Sequence, residues 1–442
     1  MILRLCFGAL LAIAGLLAAT PERLDRQVQA YFDQKQFNGA VLVAQDGQLL
    51  LSKGYGMANF EWNIPAGPDT KFRLGSITKQ FTGLAILLLE QDGKLKTSDP
   101  VSRHFAAAPE RWKPITIHHL LTHTSGIPNF TSFPDYMKTM MLASPPAESM
   151  KRVIDKPLDF DPGTKMSYSN SGYVLLGLII ENASGMSYAE FMRTRVFEPL
   201  GMKDTGYDLD TAVLPQRAAG YDRSPLGLRN AAFLDMTIPH AAGALYSTAA
   251  DLLRWDAGLT AGKLLTPENY TRYFKPEQNN YAYGWGVNQR GPLAVQSHGG
   301  GINGFSTMIY RVPEKKLVVV ALANVLPSQS GRVALDLLRL QLGEDVALPG
   351  SRKEIQVPVE TLRSYVGEYE LKPGFILTVT LEDGQLITQA TGQGKLPVFA
   401  ETATRFFPKV IDATLEFQKD PSGQVTSLVL EQNGAKMPAK RR

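Results

Sequence analysis

Gly75-Ser76-Ile77-Thr78-Lys79 opens Phe81 to Leu89, the most hydrophobic continuous run beyond the N-terminal segment. Serine is a favoured N-cap, and the run is long enough for a buried helix. Asp92-Gly93 then supplies a left-handed stop. A helix starting at Ser76 sets Ser76 and Lys79 one turn apart on the same face. A hydroxyl at a helix N-terminus lies in a positive dipole field, which suits a nucleophile whose attack creates an anion. A lysine half buried one turn later has a reason to shed its proton and act as a base. The same residues also describe a capped core helix with a surface lysine, and roughly one Ser-x-x-Lys is expected by chance in a chain this long. The rest of the chain decides between these readings.

At 442 residues the chain exceeds one ordinary domain and can bury a large core. Its formal charge of +4 is small for that size and predicts neither nucleic-acid binding nor a polyanionic substrate. Arg4, the apolar stretch Leu5 to Leu17 and the small residues Ala18-Ala19 read as a cleaved secretory signal over 1–19. That stretch is too short for a comfortable membrane span. The single cysteine, Cys6, falls within it, so the mature chain has no disulfide, no thiol catalysis and no cysteine-bound metal. Export without disulfides suits a bacterial periplasm or exterior.

Downstream of the signal, a short helix through Phe32 leads to strands at Gly39 to Ala44 and Gln48 to Gly56, joined by Asp46-Gly47. Asp99 to about Tyr246 reads as mainly helical, with a helix from Ser171 or Gly172 to Ala183, and a further helix follows from Thr248 to Ala257. Strands return at Tyr283 to Val287, at Leu293 to Gly301, and in a hairpin of Phe305 to Val312 with Leu317 to Ala323. A helix over Gly331 to Leu342 follows. Strands from both ends of 20–342 with helices between them predict an α+β domain, one antiparallel sheet with a helical subdomain. Residues 343–358 read as a linker. Hairpins in 359–442 predict a small all-β barrel.

Three separated motifs converge on one chemistry: Ser76-x-x-Lys79, Tyr168-Ser169-Asn170 entering a helix, and His298-Gly299-Gly300 at the end of a strand. In order and context they resemble the serine β-lactamase and penicillin-binding-protein family, in the branch of class C β-lactamases, D-Ala-D-Ala carboxypeptidases, D-aminopeptidases and esterases. Leu120 to Gly126, Glu198 to Met202, Gly243 to Thr248 and Tyr283 to Gly286 also resemble that branch, so the likeness covers about 25 to 340. Tyr365 to Tyr369 and the hairpins resemble the lipocalin-like barrel appended to such hydrolases.

The resemblance implies that Ser76 is the nucleophile of an acyl-enzyme, that Lys79 takes its proton, and that Tyr168 serves the leaving group and then water. A phenol does this near neutral pH only if cations such as Lys79 lower its pKa. Asn170 would orient Lys79 and bind the substrate carbonyl, with helix capping as its competing role. The N–H groups of Ser76 and Gly301 would form the oxyanion hole, with Gly300 beside it. Many relatives have Lys-Thr-Gly where this chain has His298-Gly299-Gly300. The hydroxyl is lost, and His298, a substrate contact or a turn residue, is charged only part of the time near pH 7. An ester, amide or short D-amino-acid peptide is therefore expected as substrate, ahead of an efficient β-lactamase. No cofactor or metal is implied, since His119 and His123 lack a carboxylate partner motif. Tyr281, Tyr283 and Trp285 read as sheet packing that can also line the cleft. The rivals are a D-Ala-D-Ala carboxypeptidase or β-lactamase, and a non-enzymatic cell-wall or ligand sensor whose barrel binds something apolar.

Overall fold

A computed structural model of the chain describes residues 18–409, 413–432 and 435–442, so most of the expected signal segment lies outside the described residues. The chain divides into two compact units, one ending at Leu348 and the other spanning Pro349–Arg442. Among the described residues no helix is long and apolar enough to cross a membrane.

The first unit is built on a sheet of β1 (Gly39–Gln45), β2 (Gln48–Tyr55), β3 (Gly286–Arg290), β4 (Leu293–Ile302), β5 (Phe305–Val312) and β6 (Leu317–Ala323). They lie in the order β3-β4-β5-β6-β1-β2, with antiparallel neighbours. The β1–β2 turn places Asp46 and Gly47 both at positive φ, 51° and 78°, which a tight hairpin requires. Strand β6 is buried along its whole length because both faces of the sheet are covered. One face, with Val41, Val43, Val319 and Ala321, packs with Leu24 and Val28 of α1 (Pro21–Asp33), and with Val333 and Leu337 of a C-terminal helix, Ser330–Gln341. The other, with Leu42, Val320 and Leu322, shares a core with α2 (Thr78–Gln91), α3 (Asn170–Ser184) and α4 (Ala249–Thr260). Phe81 of α2 stacks on Trp255 of α4 at 4.2 Å between centroids.

Two local readings change. Ser76 is not a cap: Gly75 (φ 54°) turns the chain into a 3-10 turn, Gly75–Ile77, and α2 starts at Thr78. Tyr283 to Val287 is not one strand. Gly284 (φ 82°) forms a turn pressed onto α2, where a Cβ would come within 2.4 Å of the Lys79 carbonyl oxygen, and β3 starts only at Gly286. Aromatic strand propensity gives way there to a close backbone approach that only glycine allows.

The second unit is a closed antiparallel barrel of eight strands, from Gly367–Lys372 to Ala435–Arg441. Alternate residues such as Leu377 and Val379 point inward. The interior is filled by side chains, Tyr365 stacking on Phe417 at 4.3 Å with Phe406 edge-on to both. The stretch read as a linker is tied down within each unit: Arg23 donates to the Val346 carbonyl, and Ile355 N–H to that of Ala400.

Candidate active site

The turn carrying Ser76 and the first turn of α2 run as one helical stretch, so Ser76 and Lys79 keep the one-turn spacing. Lys79 is wholly buried rather than half buried. Its Nζ lies 3.1 Å from Ser76 Oγ, 2.9 Å from Asn170 Oδ1 and 2.8 Å from the Ala242 carbonyl oxygen. Burial holds its pKa well below the ordinary lysine value, which favours the neutral amine. A neutral amine has two protons and one lone pair. The carbonyls of Asn170 and Ala242 can only accept, so they take the two protons, and the lone pair faces the Ser76 hydroxyl. Asn170 is fixed in the matching orientation because its Nδ2 donates to Thr131 Oγ1 at 3.0 Å. It is the first residue of α3, and no side chain caps that helix, so holding Lys79 is what its amide does.

Tyr168 packs over the same amine, its ring centroid 4.8 Å from Lys79 Nζ. One edge of the ring reaches solvent, but the surroundings remove water from the phenol and push its pKa up, with Ser76 as a hydrogen-bonding partner pulling back. The expectation of a cation-lowered phenol is thereby corrected: burial outweighs the Ser76 hydrogen bond and raises the Tyr168 pKa, so Tyr168 rests as a phenol.

His298 lies within β4, paired with Ile309 of β5. Its Nδ1 is 2.6 Å from the Gly299 carbonyl oxygen, so Nδ1 carries the proton. Nε2 then accepts from the Tyr281 hydroxyl at 3.0 Å. Burial lowers its pKa to about 4, so His298 is neutral near pH 7, which corrects the part-charged reading. Gly300 is a packing glycine. A Cβ there would lie 1.9 Å from the Leu74 carbonyl oxygen and 2.3 Å from Thr307 Oγ1. At Gly301 a Cβ would meet nothing within 4 Å, so that side is open, while its backbone N abuts Gly75 (3.0 Å from where a Cβ of Gly75 would stand). The fold thus brings Ser76, Lys79, Tyr168, Asn170, His298, Gly300 and Gly301 together around one cleft.

Comparison with known proteins places this constellation. The beta-lactamase family profile matches residues 24–343. The chain belongs to the beta-lactamase family. A second profile, a domain of unknown function (DUF3471), matches residues 351–440. Penicillin-binding protein 4* of Bacillus subtilis is 30% identical over 92% of this chain and 96% of its own length. The octameric penicillin-binding protein homologue from Pyrococcus abyssi has a TM-score of 0.69 at 26% identity, covering 95% of this chain and 98% of that one. A D-amino acid amidase from Ochrobactrum anthropi has a TM-score of 0.58 at 25% identity over 69% of this chain and 91% of its own.

Several groups in this family member have no signature in the sequence. The Ala242 carbonyl comes from a short turn, His240–Gly243, whose preceding carbonyl, Ala241, accepts from Thr82 of α2 at 2.7 Å. Backbone acceptors have no residue type to search for. Thr131 is one hydroxyl in a loop. His123, a candidate only for metal, instead holds the Tyr168 motif on both sides. Its carbonyl accepts from Ser167 N–H at 2.9 Å and its Nδ1 from Ser169 N–H at 3.2 Å. Its ring lies 4.3 Å from that of Tyr168. His119 Nδ1 is likewise occupied, accepting from Thr116 N–H at 3.2 Å.

Proposed function

We propose that the chain is an exported serine hydrolase that cleaves ester or amide bonds, of the esterase, D-aminopeptidase or D-amino-acid peptidase type, through an acyl-enzyme on Ser76. The observation that carries this reading is the buried Lys79 amine, whose Nζ lies 3.1 Å from Ser76 Oγ while the Asn170 and Ala242 carbonyl oxygens accept its other hydrogen bonds. In the proposed acylation Ser76 Oγ attacks the carbonyl carbon and its proton passes to Lys79. The oxyanion is met by the N–H groups of Ser76 and Gly301. Tyr168 gives its proton to the departing amine or alkoxide as the carbonyl re-forms. Water then donates a proton to the Tyr168 phenolate as it attacks the ester carbon, and Lys79 returns the first proton to Ser76. The raised pKa of Tyr168 fits an acid that holds its proton until a basic leaving group appears. A neutral His298 next to Gly299 supplies neither the cation nor the hydroxyl that would hold a substrate carboxylate, which favours neutral substrates over penicillins.

The test follows p-nitrophenyl acetate, a D-alanine amide and a penicillin by product release and intact mass, with Ser76→Ala as control. Ser76-dependent ester or amide turnover with little penicillin adduct is expected. A long-lived penicillin adduct would move the protein to the carboxypeptidase class. Full activity in Ser76→Ala would refute the mechanism. The rival in which the barrel binds an apolar ligand has the packed rings of Tyr365, Phe406 and Phe417 occupying its interior against it.

A further inference from the structure

We propose that Thr82 and Tyr188 are positioning residues for the Ser76–Lys79 pair: they fix the 240–243 turn so that the Ala242 carbonyl stays on the Lys79 amine. The inference rests on the acyl-enzyme reading above and adds the residues that hold its base in place. Its first support is a clamp built on one helix face. Thr78 and Thr82 stand one turn apart on α2, on either side of Lys79 in sequence, and all three are fully buried. Thr78 Oγ1 accepts from Leu245 N–H at 3.2 Å, and Thr82 Oγ1 donates to the Ala241 carbonyl at 2.7 Å. The two hydroxyls therefore hold the chain on both sides of Ala242, whose carbonyl oxygen is 2.8 Å from Lys79 Nζ. The turn also lies against the turn of the nucleophile: a Cβ at Gly243 would stand 3.7 Å from the Gly75 carbonyl carbon.

The second support is the direction of the Thr82 proton. Within a helix a threonine hydroxyl ordinarily donates to the carbonyl four residues back. Here that is Thr78, 3.3 Å away, whereas the Ala241 oxygen is closer at 2.7 Å, and a hydroxyl has one proton to give. Tyr188, fully buried with its hydroxyl 2.8 Å from Thr82 Oγ1, is then the donor of that contact. The third support is that the turn needs holding. His240 takes a left-handed φ of 36°, which costs a non-glycine residue conformational energy. Its ring packs on that of Tyr188, 5.0 Å away between centroids, and on α3, where a Cβ at Gly177 would stand 2.4 Å from Nε2. The same helix begins with Asn170, the other amide acceptor of Lys79. Released from Thr82, the strained turn has a reason to relax and to carry the Ala242 carbonyl away from the amine.

The experiment compares wild type, Thr82→Val, Thr82→Ser and Tyr188→Phe on the full chain, each checked for its melting temperature. One readout is the pH–rate profile of p-nitrophenyl acetate hydrolysis. The other is the titration of Lys79, followed by NMR of isotope-labelled lysine side chains with Lys79→Met locating its signal. A carbonyl dipole favours the ammonium over the neutral amine, so losing it lowers the Lys79 pKa further. Thr82→Val should move the Lys79 titration and the acid limb of the profile to lower pH by about one unit. It should also lower kcat by about 10- to 100-fold with KM little changed. Thr82→Ser, which keeps the hydroxyl, should restore both readouts, and Tyr188→Phe should shift both the same way by less. The other titratable groups around the amine are Tyr168, Tyr173, His123 and His298. Burial raises the pKa of the two phenols and lowers that of the two imidazoles, so the limb belongs to Lys79. Wild-type kcat with an unmoved Lys79 titration in Thr82→Val would overturn the proposal. So would a kcat loss that tracks lowered melting while limb and titration stay put. A shifted titration in Thr82→Val, with no Ser76-dependent turnover in the wild type, would sink the hydrolase reading and keep the clamp. Should Thr82→Val fail to fold, Tyr188→Phe decides by the same two readouts, and no change in either would overturn the proposal.

Discussion

Gly300 and Gly301 are neighbours with opposite expected sensitivities, and the contrast tests how the nucleophile is held. A Cβ at Gly300 would stand 1.9 Å from the Leu74 carbonyl oxygen, a backbone atom that cannot rotate away. Real Cβ contacts stay above 3.0 Å, so β4 and the Leu74–Ser76 turn must part by about 1 Å. Thr307 Oγ1, which donates to the same Leu74 oxygen at 2.7 Å, would be displaced with it. Overpacking of this kind costs about 1–3 kcal/mol of stability. A misplacement of about 1 Å at a nucleophile costs on the order of 100-fold in rate. Gly300→Ala should therefore show a lower urea midpoint and about 100-fold lower kcat/KM on p-nitrophenyl acetate. Gly301→Ala, with nothing within 4 Å of its Cβ, should keep its stability within about 0.5 kcal/mol. Wild-type stability and activity in Gly300→Ala would refute the packing argument, as would equal destabilisation by both variants.

Lys79→Arg, which keeps its charge at any working pH, should lose at least about 100-fold in kcat. The wild-type pH–rate profile should reach its plateau well below the ordinary lysine pKa, because burial lowers the pKa of the amine. His298 has a folded pKa of about 4 against 6.5 when free, so the unfolded chain binds the extra proton between those values. Its share of stability is complete above about pH 6.5 and is lost as pH falls towards 4. His298→Gln should flatten that part of a melting-versus-pH curve. His123→Ala should lower kcat by about 100-fold through a loosened Tyr168 while moving KM little. His123→Asn, which tolerates the left-handed φ of 58° and can still accept from Ser169, should recover part of that loss. Asp256→Ala leaves the buried Arg311 guanidinium without its partner at 2.6 Å and should cost about 3–5 kcal/mol in urea unfolding.

The sheet was legible because its strands carry strong local signals: Asp46-Gly47 between apolar runs, and alternation through Phe305 to Val312. That Ser76, Lys79, Tyr168 and Asn170 meet at one place was legible because Ser76-x-x-Lys79 and Tyr168-Ser169-Asn170 are residue types at spacings that chemistry demands. What stayed hidden depends on tertiary contact. Ser76 reads as a cap because serine caps helices, but Gly75 starts a 3-10 turn one residue earlier, and the stretch to Lys79 stays helical without any cap. Tyr283 to Val287 reads as a strand until the Gly284 backbone is seen against Lys79. Ionisation was the least legible property. A sequence places Lys79 near Tyr168, but which of them is charged depends on how much water the fold removes from each.

That removal of water links the site to its substrates. Among the described residues no acidic side chain forms an ion pair with Lys79, and its bonds go to a hydroxyl, an amide and a backbone carbonyl. A protonated amine enclosed there would carry a large desolvation cost with only dipoles to offset it, so burial favours the neutral forms of Lys79, Tyr168 and His298 alike. In the proposed mechanism charge appears only during turnover, first as the oxyanion with the Lys79 ammonium and then as the Tyr168 phenolate beside that ammonium. Each anion therefore forms next to a cation made in the same reaction. A substrate carboxylate would enter this cleft before any such cation exists and would lose its hydration without a partner. A neutral ester or amide has no charge to desolvate. On the proposed mechanism, therefore, an uncharged ester or amide is the substrate that this buried site accepts at least cost.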